Sequence, residues 1–185
     1  SKWINNISVI LIISGLYLTT FYNYLLFHSL AEGFIIIVAC GIFIVAWHSR
    51  RFLDNNYLLF IGIAYLFISI LELIHTLAYK GMGIFMGYGA DLPTQLWIAA
   101  RYMESLSLLI APLFFGRRIR LNLLFFVYAS ATCLIFLSIF LWNIFPACFV
   151  EGTGLTPFKK ISEYIICLIF MGSIALLFQK RKEFD

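Results

Sequence analysis

Long unbroken apolar stretches constrain this chain more than any other feature. A bilayer's hydrocarbon core is about 30 Å thick and takes roughly 20 apolar residues per helix. Six segments approach that length: 7–23, 27–47, 57–79, 94–115, 121–145 and 161–178. Their apolar residues run continuously, whereas a membrane β-barrel would alternate apolar and polar residues in segments of about ten. In lipid every backbone N–H and C=O needs an internal partner, and a continuous apolar helix meets that need by itself. The expected fold is therefore all-α: one polytopic membrane bundle of six transmembrane helices over 1–185. Composition agrees, with 63% hydrophobic and 12% charged residues among 185, against about 45–50% and about 25% in soluble domains.

Polar punctuation separates the spans. Asn23 is the sole break after the first, which lacks a small-residue cleavage site and is read as a retained helix and not a signal peptide. Arg50–Arg51 and Asp54–Asn56 follow the second. A glycine-rich loop from Gly81 to Gly89, then Asp91–Leu92–Pro93, divides the third from the fourth, and Thr94 is placed to cap the fourth helix. Pro146 ends the fifth span, and Gly152, Gly154 and Pro157 make a loop before the sixth. Lys2, Arg50, Arg51, Arg117, Arg118, Arg120, Lys180, Arg181 and Lys182 fall in one set of loops, while Lys80, Lys159 and Lys160 fall in the other. That bias orients the richer set, and with it both termini, to the cytoplasm. The net charge of +4 thus records membrane orientation, not affinity for nucleic acid. Trp3, Trp47, Trp97 and Trp142 lie near span ends, as interfacial tryptophans do. Cys40, Cys133, Cys148 and Cys167 show no metal or disulfide spacing.

Ionisable residues inside the spans are the exception that points to function. His28, Glu32, Glu72, His75, Arg101, Glu104 and Glu163 all lie where lipid-facing residues would be apolar. A charge at mid-bilayer costs a few kcal/mol or more, so such groups face one another, water or a ligand. In the expected topology they gather toward the outer leaflet, while the inner halves carry almost none. His28 and Glu32 are four apart and Glu72 and His75 three apart, so each pair shares a helix face. Glu-x-x-His is also the spacing that holds iron or manganese in helical bundles. His28, Glu32, Glu72, His75 and Glu104 are accordingly candidate ligands for a transition metal. Two alternatives stand beside that one. The histidines and glutamates could simply hydrogen-bond and rigidify the bundle, or His28 and His75 could be axial ligands of a haem with Arg101 near a propionate. Arg101 and Glu104, three apart, read first as an internal ion pair. Tyr79 and Lys80 sit at the outer interface and complete the candidate ligand cluster. No nucleophile elbow, Walker loop or dinucleotide fingerprint occurs, so the segment is not expected to be an enzyme. The one-sided polar cluster also argues against a small transporter, whose path needs polar groups through the full thickness.

Four runs carry a family likeness. Leu25–Glu32 (LLFHSLAE), Ala46–Arg51 (AWHSRR), Glu72–Met82 (ELIHTLAYKGM) and Leu92–Glu104 (LPTQLWIAARYME) resemble the MASE3 domain, a membrane-associated sensor of bacterial and archaeal signalling proteins. The likeness covers nearly the whole chain and is most specific in the first four spans. It implies a sensory input module in a prokaryotic cytoplasmic membrane. It further implies a histidine kinase or diguanylate cyclase output after Asp185 and a homodimeric assembly. The resemblance names no ligand.

Overall fold

The computed structural model describes residues 14–52 and 56–180. Residues 14–22 are helical and form α1. The rest of the expected first span, Trp3, the turn at 53–55 and the basic residues at either terminus lie outside the described residues. Asn23 interrupts the helix, and its side-chain oxygen accepts from the Leu25 amide at 2.8 Å, capping α2 at Tyr24–Ser49. Helix α3 spans Asn56–Ala78, and α4 spans Asp91–Ile110 and runs on as a tighter 3-10 turn at Ala111–Phe114. Pro112 lies in that turn, where its missing N–H prevents a regular α-helical ladder. Helix α5 spans Leu121–Phe136 and widens into a π turn at Leu137–Leu141. Helix α6 spans Pro157–Gln179. Five of these helices, α2 to α6, are long and apolar enough to cross a membrane among the described residues.

The helix ends depart from the sequence expectations in instructive ways. Helix α4 begins three residues earlier than expected. Asp91–Leu92–Pro93 is its first turn and not a linker. Proline is tolerated there because first-turn amides have no intrahelical partner. Thr94 is therefore not the cap: its hydroxyl donates to the Ala90 carbonyl at 2.7 Å from inside the helix. Helix α5 ends at Leu141, before Pro146, because Asn143 adopts a left-handed conformation (φ 50°). The Ile144 and Phe145 amides then both donate back to the Ser138 carbonyl. Pro157 opens α6 in place of belonging to the preceding loop, and the Thr156 hydroxyl accepts from the Lys159 amide to cap it. The all-α expectation also omitted a small antiparallel hairpin, β1 (Phe149–Val150) paired with β2 (Gly154–Leu155).

Packing makes α3 and α4 the centre of the bundle. Helix α2 lies against α3, α4 against α3 and α6, and α5 against α3. The main core joins Leu59, Phe60, Ile63, Ile68 and Leu71 of α3 to Ala100 and Met103 of α4 and Tyr128 of α5. Helix α2 approaches α3 closely at Gly62, where an added Cβ would run into the Ala46 side chain. Small residues commonly permit such approaches between membrane helices. The outward sides of α2, α5 and α6 expose Phe34, Ile37, Val45, Phe126, Leu134, Leu168 and Ile174, a surface suited to lipid. At one end Tyr57 stacks on Phe115, and Lys180 lies over the same ring. At the other, the Asp91 carboxylate accepts from the Cys148 and Phe149 amides, both at 2.7 Å, and ties the hairpin to the start of α4.

Candidate functional site

The interior between α2, α3 and α4 holds two adjoining polar sets. The first is built on Arg101 of α4. Its guanidinium donates to the Glu72 carboxylate of α3 and, at 2.5 Å, to Glu104 on its own helix. Glu72 is fully buried. The Tyr65 hydroxyl donates to the other Glu104 oxygen at 3.0 Å. The ion pair expected between Arg101 and Glu104 is present, and Glu72 enlarges it into a triad. That triad removes Glu72 Oε1 and Glu104 from any convergent ligand set.

The second set joins His28 and Glu32 of α2 to His75 of α3. One ligand atom from each lies within 4.8 Å of the other two. The His28 and His75 rings meet edge to face, with centroids 5.5 Å apart. His75 is buried, and its Nδ1 lies 2.8 Å from the Pro93 carbonyl. A carbonyl can only accept, so Nδ1 carries the proton and Nε2 keeps its lone pair. His28 packs on the other side against Tyr79, at 3.8 Å between ring centroids, with Tyr24 beyond it. The His28 Nε2, Glu32 Oε2 and His75 Nε2 atoms are all buried without a hydrogen-bond partner. Buried polar atoms are nearly always paired, so three orphans on one spot mark the place where the interior is incomplete. The same holds, next door, for Glu72 Oε2 and Arg101 Nε.

Two expected members lie elsewhere. Lys80 is exposed and stands 3.9 Å from Glu151 of the hairpin turn. Glu163 is paired with Lys159 one turn before it on α6, and so does not join the central groups. Haem ligation by His28 and His75 is disfavoured because their ring centroids, 5.5 Å apart, lie closer than two imidazoles on opposite faces of a porphyrin.

Several participants were not singled out from the sequence. Tyr65 lies seven residues before Glu72, two helical turns along one face, which is the signal that could have found it. Trp97 lies four before Arg101. Its ring has the Arg101 guanidinium 5.7 Å from its centroid and the Lys159 ammonium 4.0 Å from it, an arrangement of cation–π type. Asp91 and the Pro93 carbonyl carried no sequence signal for their roles. Above His75, a cleft of about 350 Å³ opens beneath the hairpin, lined by Tyr79, Lys80, Trp97, Phe149 and Lys159 among others. Outside the spans, burial and the nearby Asp91 carboxylate push the Cys148 thiol up to about 12, so it is an inert part of the hairpin anchor.

Five long apolar helices around a buried cluster of acids, imidazoles and a guanidinium define a multi-pass membrane domain with a polar interior. The chain belongs to the MASE3 family: the model of this membrane-associated sensor domain matches residues 19–185. No curated protein and no solved structure gives a match.

Proposed function

We propose that this domain is the sensory input of a prokaryotic signalling protein and that the interior between α2, α3 and α4 is where it responds. In this reading the chain has six spans, the bias of basic loops sets both termini in the cytoplasm of a bacterium or archaeon, a histidine kinase or diguanylate cyclase is the output, and a homodimer is the working unit. Membership of a sensor family supports the role. The observation that carries the site is the group of orphaned polar atoms on His28, Glu32, Glu72, His75 and Arg101. An interior left unsatisfied in one packing arrangement is poised to be satisfied in another or by a ligand.

A ligand shifts such an equilibrium only by binding one arrangement better than the other. Helix α4 is suited to transmit the shift. It carries Arg101, supplies the carbonyl that orients His75, and packs against α6. Helix α6 leads toward the expected output domain. In the full-length protein, His28→Ala, Glu72→Gln, His75→Ala and Glu104→Gln are each expected to lock or abolish output at normal membrane abundance. Unchanged output from all four would overturn the reading.

A further inference from the structure

We propose that His28, Glu32 and His75 form a binding site for one divalent first-row transition-metal ion, open on one side to an exchangeable ligand. The proposal rests on the sensory reading only for its consequence in signalling; the binding itself does not depend on it.

Four observations converge. The donor atoms are two imidazole nitrogens and one carboxylate oxygen, the set that zinc and non-haem iron accept with open positions remaining. They already lie within 4.8 Å of one another. Around an ion with bonds of about 2.0–2.2 Å they need only close by small side-chain rotations. His75 is 5% exposed, its Nε2 has no partner, and its Nδ1 is held by the Pro93 carbonyl at 2.8 Å. Metal-bound histidines characteristically donate their second ring nitrogen to a carbonyl or carboxylate in this way, fixing the tautomer that leaves the ligand lone pair free.

Charge supplies the third argument. Among the described residues, Glu72 and Glu104 pair with one fixed cation, Arg101, which also acts on Glu32, while Lys159 is engaged by Glu163 and Lys80 stands with Glu151 outside. Three carboxyl groups thus stand against one guanidinium in the same interior. A divalent cation at the open set would add positive charge where acidic side chains outnumber basic ones. The fourth observation is a neighbouring cleft: a space of about 350 Å³ reaches the His75 side chain from the hairpin end.

The decisive experiment is metal binding by the metal-stripped chain in lipid nanodiscs, titrated with Zn²⁺ and separately with Co²⁺. One equivalent per chain is expected, with cobalt absorption in the visible range reporting nitrogen–oxygen coordination. Loss of an outer-shell partner costs about 10–100-fold in metal affinity, so His28→Ala and His75→Ala should each cost on the order of 100-fold or more. Glu32→Gln should weaken binding, and Glu163→Gln should leave it unchanged. Should an alanine variant misfold, His28→Gln, which keeps a polar side chain of similar reach, gives the same readout in a folded chain. Absence of stoichiometric binding, or binding indifferent to both histidines, overturns the site. Metal binding with output unaffected by His28→Ala, Glu72→Gln, His75→Ala and Glu104→Gln would uphold the site and overturn the sensory reading. The converse pair of results would do the reverse.

Discussion

The two polar sets sit side by side, share α3 and are finished to different degrees. Around Arg101, most groups find a partner: Glu72, Glu104 and Tyr65 are joined in one network. Among the described residues, the hydrogen bond at His28, Glu32 and His75 is the one that the Pro93 carbonyl accepts from His75 Nδ1, and it serves to orient one ring. The first set ties α3 to α4. The second lies where α2 meets α3 and is left open. A closed network resists change, because breaking it strands a buried charge. An open one has its free valence available for something else. The contrast gives the first set the larger share in stability and leaves the second free to bind a ligand, although both are made of similar residue types.

Four substitutions test that division. Arg101→Met is expected to have the largest effect. It leaves Glu72 buried without its cation, and stranding one member of a buried pair costs about 3–5 kcal/mol. Unfolding in mixed micelles should show the loss. Gly62→Val comes next, at about 1–3 kcal/mol for overpacking a tight contact. It should push α2 off α3 and weaken metal binding at the open set, while the Arg101 network persists. Tyr65→Phe removes one hydrogen bond to a carboxylate, at about 1–2 kcal/mol, and should leave metal affinity untouched. His28→Ala is expected to be smallest in the metal-free protein, under about 1 kcal/mol, since its Nε2 bonds to nothing and only ring packing is lost. A His28→Ala variant as unstable as Arg101→Met would erase the distinction between the sets.

Much of the molecule was legible in the chain because lipid simplifies the code. Apolar run length located α2 through α6 within a few residues, and helical spacing put His28 with Glu32 and Glu72 with His75. Errors collected at the ends of helices, where proline is ambiguous. Pro93 and Pro157 each stand in the first turn of a helix, a position as natural for proline as the loop they were expected to occupy. The turn at Asn143 carried no pattern at all, because a single left-handed residue ended α5 before Pro146 could.

Residue order and type settled that this is a helical membrane domain with ionisable groups inside it, since hydrophobic length and the cost of charge in lipid depend on local composition alone. Which groups meet was settled by how the helices rotate and pack. Glu72 and His75 are one turn apart on α3, yet one turns to Arg101 and the other to His28. Similarly, Glu163 joins Lys159 and stays apart from the central groups. Such partnerships depend on neighbours distant in the chain, and spacing along one helix fixes a face without saying what that face will touch.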